Sequence, residues 1–380
     1  MVLRFWVAVL VFHAGMLYVT ARIASDWARR AAVPSPRWER LRDGLIFGVA
    51  ALALAGAVSV GPPGDGFLTA RLLCQALFGE AVLLTAWIAL LHLRPGRLPR
   101  AVVATLALGV LLSAYAEAYH VGPYDLRLRR YALDRSDGNA PRGWIRILHL
   151  SDLQSDAIGP HEVRALREGL AQAPDLIVFT GDYLQERVTP SRVWSRANAG
   201  DDLRELLRRV GLRAPLGVYA VQGDVDPDWP GLFDGTGVVC LQDTAARIAL
   251  PGKVSLALVG LSRPTSRNRN GRVLPVVTTA PEADLRFVMG HSPDYVATLA
   301  RAAVEVDLAL AGHTHGGQVA LPFFGPLVTL SRLPRRFAGG LNDYDGIPLC
   351  VSRGIGMERR TAPQIRFFCP PEIVVVDVTY

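Results

Sequence analysis

Six side chains suited to binding divalent cations, three Asp and three His, stand at the ends of apolar runs in this sequence. WIRILHL leads into Ser151-Asp152, PDLIVFT into Gly181-Asp182, GVYAVQ into Gly223-Asp224, DLRFVM into Gly290-His291, and VDLALA into Gly312-His313-Thr314-His315. Four of the five endings have a glycine directly before the Asp or His. Glycine lacks the Cβ that would obstruct a sharp turn, so the chain can aim the next side chain where the strand stops. One aspartate at a strand end is usually a cap or turn residue. All five endings together point to one crevice, because ligand sites in open α/β sheets form beyond the carboxyl ends of the strands. Carboxylates and imidazoles gathered there are unfavourable unless a cation compensates them.

The elements that must position these groups follow from the pattern around them. From residue 142 onward, strand-like runs alternate with helix-like ones, as in a layered α/β domain. Helices are expected over Pro160 to Ala173, over Asp202 to Leu212, and from Ser292-Pro293, where Ser suits the N-cap and Pro the first turn. His149 lies within a strand and reads as a buried packing histidine, while His161 opens a helix and reads as solvated. Arg263, Arg267, Arg269 and Arg272 form a basic loop that reads as solvated surface, with phosphate or lipid headgroup contact as the alternative.

At 380 residues and 50% apolar composition, the chain exceeds one ordinary domain. Its apolar residues are unevenly spread. Before about residue 120 they form four long blocks, Leu3 to Val19, Leu45 to Val60, Leu72 to Leu93 and Ala101 to Tyr119, each suited to crossing a hydrocarbon core of about 30 Å. Glu80 and Glu117 fall within or near the end of a span. The expected layout is a transmembrane region of about four helices over 1–120, a linker over 121–141 and a globular domain over 142–380. Arg22, Arg29, Arg30, Arg37, Arg40 and Arg42 in the first loop, and Arg94, Arg97 and Arg100 in the third, place those loops in the cytoplasm. Both termini then lie outside, which makes this a multi-pass inner-membrane protein with a periplasmic or extracellular domain; Arg127, Arg129 and Arg130 argue the other way.

The net charge of +7 and pI near 9.5 could indicate a nucleic acid or anionic lipid partner. Nearly all the basic residues are Arg, with Lys253 the only lysine, and no Arg run is interleaved with aromatics, so nucleic acid is not expected. The four cysteines lack CxxC spacing, which argues against a disulfide framework and leaves Cys350 with Cys369 as the one open pairing.

The ordered series SDLQ, GD, GDVD, GHS and GHTHGGQ resembles the calcineurin-like metallophosphoesterase superfamily, whose order is Asp-x-His, Gly-Asp, Gly-Asn-His, Gly-His and Gly-His-x-His. It is most similar to the membrane-associated bacterial branch, in which GHTHGGQ is followed by a Pro-rich stretch and a VSRGIG-like segment, here Val351 to Gly356. The resemblance covers roughly residues 145–378 and implies a four-layer αββα sandwich with a two-metal site. It implies Asp152, Gln154, Asp182 and His315 around one metal, Asp182 bridging to the second, and Asp224, His291 and His313 completing that one. Asp182, Asp224 and His313 would carry catalysis. Mixed N and O ligation suits Mn, Fe or Zn. Two such ions would polarise a phosphate, activate water and stabilise the leaving oxygen.

Three residues depart from the family pattern. Gln154 stands where His is usual and is a weaker donor; Asp224 replaces Asn and adds negative charge; Val225 replaces the His used near the leaving group. A substrate with a good leaving group tolerates the last change best. Asp156 and Asp226 lie close enough in sequence to compensate. The expected function is membrane-tethered, metal-dependent hydrolysis of a phosphomonoester, phosphodiester or pyrophosphate, with a lipid-linked substrate among the candidates. The alternative is a degenerate metal- or phosphate-binding sensor. A transporter has little support, because the spans lack a charged pathway.

Overall fold

Short apolar runs such as Leu176–Phe179 and the valines of Glu372–Thr379 have no polar face, as expected of strands covered on both sides. The computed structural model describes residues 66–380 apart from 92, 94–97, 137, 139, 186–187, 190–191, 194–195, 227–228, 270 and 361. The chain divides into two compact units, one comprising 118–360 with 364–380 and the other N-terminal to it.

In the larger unit the strands of the two main sheets are β1 (Arg127–Asp134), β2 (Trp144–Leu150), β3 (Leu176–Phe179), β4 (Val218–Ala220), β5 (Val239–Cys240), β6 (Thr244–Leu250), β7 (Val254–Gly260), β8 (Leu285–Met289), β9 (Leu308–Ala311), β10 (Gly340–Tyr344), β11 (Ile347–Val351) and β12 (Glu372–Thr379). They form two six-stranded sheets, ordered β1-β12-β2-β3-β4-β5 and β10-β11-β9-β8-β7-β6. β2, β3 and β4 are parallel, with Leu150 beside Phe179 and Phe179 beside Ala220, so their carboxyl ends share one edge. β7, β8, β9 and β11 are likewise parallel.

Three apolar cores separate the layers. Ile145, Ile147, Val178, Val374 and Val376 of the first sheet meet Leu256, Phe287, Met289 and Leu310 of the second in the central core. The opposite face of the first sheet, with Leu148, Ile177 and Phe179, packs on Leu166, Leu203 and Leu206 of helices Pro160–Leu170 and Arg196–Arg209. The opposite face of the second, with Val259, Val288 and Ala309, packs on Val277 and Leu299 of helices Val273–Thr278 and Val296–Arg301. Helix, sheet, sheet and helix thus succeed one another, because strands apolar on both faces need cover on both.

Several boundaries differ from the sequence-based expectation. Residues 121–141, expected as a linker, include β1, which runs parallel to β12 from Arg127↔Glu372 to Asp134↔Thr379. Its arginines hid it: an edge strand with one half-covered face needs no apolar run. The helix expected over Asp202 to Leu212 runs from Arg196 to Arg209. Gly159 caps the first helix, donating its N–H to Glu162 at 2.8 Å ahead of Pro160. Cys350 and Cys369 are both buried free thiols.

In the N-terminal unit, helix Gly66–Gln75 continues through a π-turn, Ala76–Glu80, into helix Ala81–Leu91, and a further helix covers Leu98–Ala116. Among the described residues, one helical run, Ala101–Tyr124, is long and apolar enough to cross a membrane. The spans expected over Leu3 to Val19 and Leu45 to Val60 lie outside the described residues.

Candidate metal centre

Each ligand-type side chain sits in the first residues after a strand. Asp152 and Gln154 follow β2, Asp182 follows β3, Asp224 follows β4, His291 follows β8, and His313 and His315 follow β9. Asp152, Gln154, Asp182, His313 and His315 have left-handed backbones, with φ of 49°, 39°, 57°, 68° and 48°. Such strain at non-glycine residues concentrates where function requires a particular side-chain direction. The glycines serve the same close approach. A Cβ on Gly312 would lie 1.9 Å from the Ser151 hydroxyl and 2.3 Å from the Asp152 carboxylate, and one on Gly223 would lie 2.1 Å from Asp182.

The turns bring the groups together. Ligand atoms of Asp152, Asp182 and His291 lie within 4.8 Å of one another, and so do those of Asp224, His291 and His313. His291 Nε2 is 3.2 Å from Asp182 and 3.8 Å from Asp224, and His313 Nδ1 is 3.2 Å from Asp224. His315 Nε2 is 3.4 Å from Asp152. Here His291 stands in both groups, whereas the resemblance gave Asp182 the bridging place.

The hydrogen bonds around these rings orient them. His291 Nδ1 donates to the Thr180 carbonyl at 2.8 Å, which turns Nε2 toward two carboxylates. His313 Nε2 lies 3.1 Å from both the Leu330 carbonyl and the Arg267 guanidinium, and Nδ1 faces Asp224 at 3.2 Å. A backbone carbonyl on the outer nitrogen is the usual support of a metal-binding histidine. His291 Nε2, both nitrogens of His315 and the Gln154 amide oxygen are buried and have no hydrogen-bond partner. Buried polar atoms left unpaired are costly. A divalent cation fits that donor set.

Burial pushes the Asp152 carboxyl up to about 7, opposed by the His291 charge and reinforced by that of Asp182. Burial also raises Asp182, but the His291 charge and hydrogen bond outweigh it and hold that carboxyl below its usual range. Burial and the neighbouring His291 charge hold His313 down to about 4, and burial with the Arg366 charge lowers His315. Burial opposes protonation of His291, but the charges of Asp182 and Asp224 outweigh it and raise that imidazole well above its ordinary value, so it must give up a proton to ligate a metal, whereas His313 and His315 are held neutral.

Several supporting residues were missed or misread from sequence. Glu358 accepts Gln154 Nε2 at 2.9 Å and Gln185 Nε2 at 2.6 Å, so the Gln154 amide is held through its NH₂ while its oxygen stays buried and unpaired. Its position two residues beyond Val351 to Gly356 carried no signal by itself. His149, neutral because burial lowers its pKa to about 3, bonds Thr180 Oγ1 at 2.9 Å; Thr180 donates to Ser151 at 2.6 Å, and Ser151 to Asp152 at 2.5 Å. It is therefore a packing histidine that also aligns a carboxylate.

Arg263, expected to be solvated, bonds Asp224 at 3.1 Å, and Arg267 pairs with the same carboxylate. The extra charge of Asp224 attracts them. His161 is not simply solvated either, since Nε2 meets the Ile355 carbonyl at 2.9 Å. Asp226 turns away from the crevice, accepting the N–H groups of Asp182, Tyr183 and Gly223, each at 2.8 Å. Asp156 pairs with Arg359 at 2.7 Å. Val225 directs its N–H to Asp182 at 3.0 Å, and its side chain has no proton to give.

Comparison with known proteins agrees with this geometry. Residues 145–317 match the calcineurin-like phosphoesterase family model. The chain is 28% identical over 261 residues to the uncharacterized metallophosphoesterase YkoQ of Bacillus subtilis, covering 66% of this chain and 89% of that protein. It is 28% identical over 294 residues to phosphodiesterase YaeI of Escherichia coli, covering 74% and 98%. It is 24% identical over 319 residues to the UDP-2,3-diacylglucosamine pyrophosphatase LpxG of Chlamydia muridarum, covering 69% and 92%. With the ordered acidic and imidazole strand ends, these matches make the chain a hydrolase of the calcineurin-like metallophosphoesterase superfamily.

Proposed function

We propose that this chain is a membrane-tethered phosphoesterase that uses two divalent cations to cleave a phosphodiester or pyrophosphate carried by a lipid. The observation that carries the reading is the set of buried polar atoms without hydrogen-bond partners on Gln154, His291 and His315 beside Asp152, Asp182 and Asp224. Asp152, Gln154, Asp182 and His315 would hold one ion, and Asp224, His291 and His313 the other. Bound there, the ions supply Lewis-acid polarisation of a phosphoryl group and activation of water.

The chain's own residues define the rest. Thr180 and Leu330 hold the rings of His291 and His313 through their carbonyls, with His291 Nε2 and His313 Nδ1 turned to the carboxylates. Arg263 and Arg267 hold Asp224 and place positive charge at the rim, where an anionic substrate arrives. Since Val225 cannot protonate a leaving group, the site favours one that departs as a stable anion. A pyrophosphate, which releases a phosphate monoester, meets that condition better than an alkyl ester. The similarity to the phosphodiesterase YaeI and to the UDP-2,3-diacylglucosamine pyrophosphatase LpxG supports the same substrate class. The apolar helix Ala101–Tyr124 and the four apolar blocks support tethering, with the arginine distribution favouring a periplasmic or extracellular domain.

The test is hydrolysis of bis(p-nitrophenyl) phosphate by the full chain in detergent, with and without Mn²⁺. The full chain is used because β1 begins at Arg127 and belongs to the sheet. Metal-dependent turnover that disappears in His313→Ala supports the reading. A metal-loaded protein inert on this ester and on pyrophosphates would make the site a sensor. Reporter fusions after residue 130 test the sidedness.

A further inference from the structure

Apolar side chains that the fold buries elsewhere are left outside in one stretch. The hairpin Ala320–Leu321 and Gly325–Pro326, with the segment to Leu330, exposes Leu321, Phe323, Phe324, Leu327, Val328 and Leu330. Phe323 at the turn is fully exposed, and Phe324 is 59% exposed. Phe368, also exposed, meets Phe367 edge to face with ring centres 4.5 Å apart, and the Phe367 carbonyl accepts the Ala320 N–H. Scattered apolar residues on a surface are ordinary, but a contiguous patch of this kind marks an interaction site.

The charge around the patch narrows what it meets. Arg332, Arg335 and Arg336 are exposed just beyond it, and the Arg335 guanidinium lies 4.7 Å from the Phe324 ring centre. No acidic residue occurs between Gly312 and Asn342. The acid that meets the base of the patch, Asp294, is buried and accepts the Ser331 hydroxyl at 2.6 Å and the Arg332 N–H at 3.0 Å. An aromatic tip with exposed arginines at its base suits an anionic bilayer, where rings enter the acyl boundary and guanidinium groups meet phosphates.

The patch is joined directly to the metal centre. Leu330, at its end, supplies the carbonyl that His313 Nε2 bonds at 3.1 Å. The Leu327 N–H bonds the Val319 carbonyl at 3.0 Å, and a Cβ on Gly317 would lie 2.6 Å from Pro326. The tip and the His313 loop therefore form one packed piece.

We propose that this hairpin docks the phosphoesterase unit on an anionic bilayer and presents a lipid phosphate to the metal centre. The docking rests on the phosphoesterase reading for its purpose but is measured without catalysis. The full chain carrying Phe323→Trp is reconstituted into phosphatidylcholine and phosphatidylglycerol vesicles, and the emission added by the new indole is followed. It should be blue-shifted and quenched by phospholipids brominated on the acyl chains. Solvent-like emission quenched by acrylamide overturns the proposal, and so does blue-shifted emission indifferent to bromination, which would mean that a second copy or another protein covers the tip. In a second arm, Phe323→Ser with Phe324→Ser should lower kcat/KM roughly tenfold or more on a nitrophenyl phosphate carried by a vesicle lipid, since two buried rings are lost. Turnover of soluble bis(p-nitrophenyl) phosphate should be unchanged. Equal loss on both substrates overturns docking in favour of structural support for the site. Absence of turnover on either counts against the phosphoesterase reading alone, and the quenching result then decides the docking.

Discussion

Gln154 shows what one residue's chemistry demands of its neighbours. An imidazole presents its lone pair in a fixed direction, whereas an amide can turn its NH₂ toward a cation. Glu358 removes that freedom by accepting the amide N–H at 2.9 Å in a pocket where burial raises its own pKa. Replacing Glu358 with Ala should weaken metal binding by about 10- to 100-fold in a calorimetric titration, as for other supporting partners of metal ligands. In a Gln154→His background the same replacement should cost little, and an equal cost there would show that Glu358 merely supports the fold. Asp224 and Val225 are the other departures. Changing them together to Asn and His should raise kcat on bis(p-nitrophenyl) phosphate by roughly tenfold or more if a proton donor is what the site lacks, whereas no gain would count against that explanation. The departures themselves were legible in the sequence. Glu358 was not, because its role exists only through a contact across 204 positions of chain.

At the level of elements, strand ends were the most legible feature, since a parallel sheet delivers its carboxyl ends to one edge. That logic brought together residues from both sheets. Less visible was how the loops are locked against each other. Asp226 binds three N–H groups from two neighbouring loops, and burial with the Asp182 charge pushes its pKa up to about 7. Asp226→Asn leaves at least one of those N–H groups facing an NH₂ donor, so it should cost about 1–3 kcal/mol in urea unfolding of the full chain. A neutral outcome would mean that the loops are held by their strands alone. β1 escaped notice because Arg127, Arg129 and Arg130 read as flanking charge for a membrane span. As an edge strand it needs backbone pairing with β12 more than apolar side chains.

On the scale of the whole molecule, one chain joins an apolar N-terminal unit to a metallophosphoesterase with an exposed aromatic hairpin. Composition set the two parts apart, because long uncharged blocks suit a membrane span and short interrupted runs suit a layered domain. The hairpin was hidden in the same composition, since exposure of Phe323 cannot be told from burial by residue type. Every functional statement here depends on the strand ends holding cations. Elemental analysis of the purified full chain, loaded with Mn²⁺ and freed of excess, tests this most directly. Two ions per chain are predicted, with loss of at least one in His313→Ala while circular dichroism stays unchanged. A folded chain that retains no ion, or whose content is indifferent to His313, would contradict the account.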